Sequence, residues 1–163
     1  MPRHLRPLVL EALAESRAVA LLGARQVGKS TLVADLAATD YRARIINLDD
    51  EATANAARAD PTGLIAGIAG PVVIDEIQRT PGLLLAIKQR LDSDRSRGQF
   101  LLTGSANILT RPTVADGLPG RVEYLNLWPL SQGELRGRRE TFIDELFDGR
   151  LPRVTNAQSA AAP

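Results

Sequence analysis

The sequence predicts an α/β domain: a parallel sheet of about five strands with helices on both faces. Two observations predict it. Short, continuous apolar runs such as Val19–Leu22, Val72–Ile74 and Phe100–Leu102 read as strands buried on both sides, since a sheet with one wet face alternates apolar and polar residues. Helical patterns fill the chain between those runs, the order that brings successive strands parallel. Composition agrees: of 163 residues 44% are hydrophobic and 24% charged. That is the balance of a globular domain. A chain of this length can bury roughly 70% of its unfolded surface in one core.

Each element follows from a local pattern. Leu8 to Ser16 places Leu8, Leu10 and Leu13 at helical spacing, with Glu11 and Glu15 between them. Val19–Leu22 is a strand ended by Gly23. A helix runs from Lys29 to Ala38, its apolar side carrying Leu32, Val33 and Leu36. Ile45–Leu48 is the second strand, closed by Asp49, Asp50 and Glu51. Ala52 to Ala59 is alanine-rich and helix-favouring. Asp60-Pro61 starts a further short helix, with proline at its first position. Val72–Ile74 is the third strand. Pro81 to Asp92 is an amphipathic helix with Leu84, Ile87 and Leu91 on one side. Phe100–Leu102 is the fourth strand and Val122–Leu127 the fifth. Ser131 with Glu134 three residues later is a capping box, so a helix starts there.

Composition also excludes chemistries. With no cysteine, disulfides, thiolate metal sites and thiol nucleophiles are ruled out. The single histidine, His4, leaves no paired-histidine metal site, so any metal must sit on oxygen ligands, which points to magnesium. A net charge of +1 provides no field favouring nucleic acid or an anionic membrane. The longest uncharged apolar run, Leu64 to Ile74, is interrupted by Gly67, Gly70 and Pro71. A spanning helix needs about 20 residues, so this run is far too short. Glu11, Glu15 and Arg17 break up the N-terminal apolar stretch before a signal-peptide core forms. The expected location is the cytoplasm.

The motif that carries chemistry lies between the first strand and the next helix. Gly23-Ala24-Arg25-Gln26-Val27-Gly28-Lys29-Ser30 fits G-x-x-x-x-G-K-[ST] in full, in the strand–loop–helix context such a loop requires. The glycines let the backbone turn tightly and aim N–H groups at phosphate oxygens, helped by the positive end of the helix dipole. Lys29 is expected to span the β- and γ-phosphates, and the Ser30 hydroxyl to enter a magnesium shell. The predicted nucleotide-binding set is Gly23, Ala24, Arg25, Gln26, Val27, Gly28, Lys29, Ser30 and Thr31, and the predicted ligand is ATP with Mg2+.

Two more strands end in polar residues. Asp75 and Glu76 follow Val72–Ile74, at the carboxyl end of a parallel strand, where such sheets bind ligands. Asp75 is expected to hold the magnesium with Ser30, and Glu76 to polarise the attacking water. The plainer alternative is that the pair caps the following turn. The adjacent Glu76 favours a hydrolase over a P-loop kinase, whose acceptor replaces water. After Leu101-Leu102, a hydroxyl or amide can sense the γ-phosphate and orient water. Thr103, Ser105 and Asn107 all qualify, spacing does not choose among them, and Ser105 equally suits a turn cap.

These segments together resemble a known family. Gly23–Leu32, Val73–Arg79, Leu101–Asn107, Leu118–Arg121 and Trp128–Ser131 are similar to the predicted prokaryotic ATPases assigned to the AAA+ superfamily. The likeness runs from residue 17 to about 153. It implies a three-layer P-loop NTPase fold with strand order 5-1-4-3-2, ATP as ligand and magnesium as cofactor. It also implies that Arg121 matches an arginine finger. With the Gly120-Arg121 corner expected beside the fifth strand, at the sheet edge and facing outward, Arg121 is expected to act in trans on the nucleotide of a neighbouring copy in a homo-oligomer. The alternative is a salt bridge to Glu123 or another surface carboxylate. Members of the family continue into a C-terminal region, so the chain is expected to be the ATPase module alone: a domain over 1–153 and a small-residue tail over 154–163.

The leading functional reading is magnesium-dependent ATP hydrolysis acting on an unknown protein target. A nucleotide-gated switch with little or no hydrolysis is the alternative, and a P-loop kinase the third. Other features receive plain readings. The arginines at 136, 138 and 139 form a solvated face, and Trp128, followed by Pro129, is a core plug at a strand end and not a stacking platform. Asp49 and Asp50 either support the site from behind or form an ordinary turn.

Overall fold

The computed structural model describes residues 3–105 and 120–136. Its elements are α1 (Arg6–Glu15), β1 (Ala18–Leu22), α2 (Lys29–Ala38), β2 (Arg44–Asn47), α3 (Glu51–Ala59), α4 (Pro61–Ala66), β3 (Val72–Asp75), a 3-10 turn (Ile77–Arg79), α5 (Leu83–Ser93), β4 (Phe100–Gly104), β5 (Val122–Asn126) and α6 (Gln132–Arg136). Arg3–Pro129 form one compact unit, and α6 belongs to a second, described by itself. The expected boundary at residue 153, the tail 154–163, Asn107 and the arginines at 138 and 139 lie outside the described residues.

The five strands pair in the order β2-β3-β4-β1-β5, every neighbour parallel, which is the expected 5-1-4-3-2 order read from the other edge. Alternating side chains build two cores, one on each face. Ala18, Ala20 and Leu22 of β1 pack with Ile74, Leu102, Ile65, Leu84, Ile87 and Leu91, so α4 and α5 cover that side. Val19 and Leu21 pack with Val73, Leu101, Val9, Leu13, Leu32, Val33 and Leu36, so α1 and α2 cover the other. Each of the leucine, isoleucine and valine side chains contributes on the order of 1.5–3 kcal/mol when removed from water. The central strands β1, β3 and β4 are buried at every position, as their unbroken apolar runs predict. The edge strands β2 and β5 each bury one residue, Ile46 and Val122.

Caps fix the helix starts. The Asp50 carboxylate accepts from the Thr53 N–H at 2.8 Å and opens α3. The Asp60 carboxylate accepts from the Gly63 N–H at 2.7 Å and opens α4 ahead of Pro61. Short acidic side chains are well suited to both places, because they satisfy N–H groups that the helix itself leaves unpaired. In α6, Ser131 and Glu134 form the predicted reciprocal box, at 2.8 Å and 3.1 Å. Some boundaries move. β3 and β4 run on to Asp75 and Gly104, because backbone pairing outlasts the apolar runs. α5 starts at Leu83 because Thr80–Leu84 first makes two tighter turns. Trp128 departs further from expectation: it is 74% exposed and plugs no core. Leu127 takes the inward position, 2% exposed. Alternation along the extended chain then turns the next side chain out. Among the described residues no helix is long and apolar enough to cross a membrane.

Candidate functional site

At the carboxyl end of the central strand β1 the chain enters the loop that leads into α2. A Cβ on Gly23 would lie 2.4 Å from the Leu127 carbonyl oxygen, so this position accepts only glycine without moving backbone. Gly28 sits at φ 92 and Gln26 at φ 64, which together complete the turn. The left-handed conformation at Gly28 is one that glycine adopts without steric cost. Gly28 gives no side-chain cap to α2, so among the described residues the first N–H groups of that helix have neither an intrahelical partner nor a cap from the N-cap side chain. Lys29 is 5% exposed, and its Nζ donates to the carbonyls of Gly23 at 3.1 Å and Ala24 at 2.9 Å. The ammonium therefore stands within the concave side of the loop, and a buried cation beside helix-start N–H groups is an anion cradle.

On the β3–β4 side of β1 the acidic pair ends its strand. Asp75 is 6% exposed and accepts a short hydrogen bond from the Thr103 hydroxyl. The same hydroxyl oxygen accepts from the Glu76 N–H at 3.0 Å. Thr103 thus fixes the direction of Asp75 and the start of the next turn at once. Glu76 adopts φ 60, ψ 46, in the left-handed region. A residue with a Cβ is disfavoured there by roughly 1–2 kcal/mol. Glu76 makes no side-chain cap to the 3-10 turn that follows, so the plain capping reading of the pair is not what the structure contains. The Glu76 carboxylate instead accepts a short hydrogen bond from the Gln78 amide, whose oxygen accepts from the Ser105 N–H at 3.4 Å. Gln78 therefore links the tips of β3 and β4.

The oxygen-only set of Asp75 carboxylate and Ser30 hydroxyl fits magnesium, which takes one or two carboxylates together with substrate phosphates. Among the described residues no group of three acidic or histidine side chains gathers to hold a metal by itself. Asp49 pairs with Arg79 at 2.6 Å and Asp50 caps α3, so both serve the fold.

Arg121 stands elsewhere. It precedes β5 and lies at the amino end of the sheet, where its Nε meets Asp92 of α5 at 2.6 Å. The Arg121 guanidinium holds the Asp92 carboxyl below its usual pKa range. It lines an open polar depression of about 870 Å3 with Arg17, Arg95, Arg97 and Glu123. With ~3.3 Å of rise per residue along β1, roughly 20 Å separates this end from the loop of the same chain. The structure therefore unites Gly23–Thr31, Asp75, Glu76 and Ser105 at one end of the sheet and leaves Arg121 at the other.

Sequence reasoning passed over Gln78, although it lies inside a quoted motif two positions after Glu76. It also passed over Arg3, which donates to the Val27 carbonyl at 3.1 Å and to the Trp128 carbonyl. No local pattern connects residue 3 to a loop so far along the chain.

Comparison with known proteins agrees with this geometry. Residues 15–136 match the family model described as AAA domain. An uncharacterized protein of Mycobacterium tuberculosis is 34% identical over 150 residues, covering 91% of this chain and 33% of the relative. An uncharacterized protein of Mycobacterium bovis matches with the same figures, 34% identity over 150 residues. The chain spans about a third of the length of these curated relatives, 33% in each case.

Proposed function

The chain belongs to the AAA domain family, an ATPase-like nucleotide-binding module, and from that premise we propose that it binds ATP with magnesium and hydrolyses it. The single observation that carries the reading is the pairing of the buried Lys29 ammonium in its loop with the acidic tip of β3. The N–H groups from Gly23 to Thr31 surround the phosphates, and Lys29 neutralises the β and γ oxygens. Ser30 and Asp75 hold the magnesium, which supplies charge neutralisation at the phosphates when bound. Glu76 takes a proton from the attacking water. Ser105 or Asn107 orients that water, because the Thr103 hydroxyl is already engaged by Asp75. Arg121 completes the charge balance from a neighbouring copy, since its own loop lies at the far end of the sheet. A protein target receives the output.

Two variants test this. Lys29→Ala should abolish ATP binding by calorimetry, as charge-assisted contacts to a triphosphate sum to several kcal/mol. Glu76→Gln should keep binding and lose roughly 10²–10⁴-fold in phosphate release. Equal ATP affinity for wild type and Lys29→Ala would sink the phosphate-loop reading. A second reading, a nucleotide-gated switch with slow turnover, is favoured by one observation: the Glu76 carboxylate is held by Gln78.

A further inference from the structure

The exposed indole of Trp128 has no role in the site so far, yet the main chain at 127–128 is held at both ends of the phosphate loop, by Leu127 at one end and through Arg3 at the other. The Leu127 N–H donates to the Leu22 carbonyl at 2.7 Å, extending the β5–β1 pairing past the strand end. The Leu127 carbonyl lies against Gly23, the first loop residue. At the other end, Arg3 joins the Trp128 carbonyl to that of Val27, next to Gly28. The main chain at 127–128 is thus held against the loop, while the side chain is the most exposed large hydrophobic group among the described residues, at 74%.

The sheet order gives this position a direction. Asp75, Glu76 and Thr103 all lie on the β3–β4 side of β1, and β5 flanks β1 on the opposite side. A nucleotide whose γ-phosphate faces Glu76 runs back across the tip of β1, so its base emerges over the end of β5. The other described aromatic residues are elsewhere. Phe100 starts β4 at the amino end, Tyr41 donates to Gly98 at that same end, and Tyr124 lies within β5.

We propose that Trp128 is the stacking platform for the base of a purine nucleotide, the indole taking the ring face that the phosphate loop cannot reach. This rests on the nucleotide-binding reading above. Stacking recognises a π face and not a hydrogen-bond pattern, so the platform favours purines over pyrimidines by overlap and discriminates weakly between adenine and guanine. Removal of a base–aromatic stack is worth about 5- to 150-fold in Kd.

The chain carries one tryptophan, so its intrinsic fluorescence reports on this position alone. Wild type and Trp128→Ala are titrated by calorimetry with Mg·ATP and with inorganic triphosphate, which has no base. Wild-type emission is followed in parallel. Support consists of ATP, but not triphosphate, changing the wild-type emission, with Trp128→Ala weakening ATP about 5- to 150-fold and leaving triphosphate unchanged. Trp128→Phe, which keeps a stacking face, should recover most of the ATP affinity. Unchanged ATP affinity in Trp128→Ala, with wild type binding both ligands, overturns the platform and leaves the phosphate loop standing. Equal losses for ATP and triphosphate overturn it in favour of a packing role. If wild type binds neither ligand, the nucleotide-binding reading falls and the platform falls with it.

Discussion

Thr103→Val removes one hydroxyl and almost no volume, which isolates the polar link between β3 and β4. In the native chain that hydroxyl donates to the buried Asp75 carboxylate and accepts from the Glu76 N–H at 3.0 Å. A hydrogen bond to a charged group is worth ~1.5–3 kcal/mol and a neutral one ~1 kcal/mol, so the loss is about 2.5–4 kcal/mol. Valine fills the site, so no cavity adds to this figure, while the missing hydroxyl still counts against it. At ~2–4 °C per kcal/mol for a chain of this size, Tm should fall by about 5–15 °C. Denaturant unfolding gives the free energy directly, with Thr103→Ser as the control that restores the hydroxyl. A double-mutant cycle with Asp75→Asn should show coupling of roughly 0.5–3 kcal/mol, because the two groups touch. Magnesium-dependent ATP binding should weaken alongside, as Asp75 loses the group that aims it. Wild-type stability in Thr103→Val, or a Thr103→Ser variant as damaged as the valine, refutes the reasoning.

Two predictions concern rate. Gln78→Ala releases the Glu76 carboxylate from its amide partner and should raise phosphate release by about 10- to 150-fold at unchanged ATP affinity, matching the loss of one charged hydrogen bond; a slower variant instead makes Gln78 part of the hydrolytic geometry. Arg121→Ala should lower hydrolysis by ~10³–10⁵ while sparing ATP binding, and mixing it with Lys29→Ala should restore part of the activity. Wild-type turnover per chain should rise with protein concentration, and activity independent of concentration, without rescue on mixing, assigns Arg121 to its ion pair with Asp92.

What was legible in the sequence is what short-range patterns encode. The strand–loop–helix around Lys29, the buried runs of β1, β3 and β4 and the Ser131–Glu134 box depend on neighbours within a few residues, and they form as read. Strand order was not legible from periodicity; it came from the family resemblance, because every parallel pair is joined by a crossover whose direction the local pattern leaves open. The roles of Thr103 and Gln78 were hidden for a related reason. Thr103 and Asp75 are 28 positions apart and meet only because β3 and β4 are neighbours in the sheet. Trp128 was misread because an aromatic at a strand end fits a core position as well as an outward one, and only the burial of Leu127 decides the alternation.

The sheet itself then divides the chemistry. Parallel strands place every carboxyl end on one side, so the phosphate loop, Asp75, Glu76 and Ser105 converge without any one segment encoding the whole site. The same rule sends Arg17, Arg97 and Arg121, which precede β1, β4 and β5, to the opposite end. A rigid strand cannot fold back on itself, so no rearrangement within the sheet brings Arg121 to its own loop. Any direct contact of Arg121 with the reacting phosphate therefore requires a second chain whose loop end faces this amino end. That arrangement is heterologous, head to tail, and closes as a ring or grows as a filament. Turnover in which Arg121 touches the phosphate consequently requires assembly, whereas assembly alone does not require Arg121, which keeps its ion pair with Asp92 within one chain.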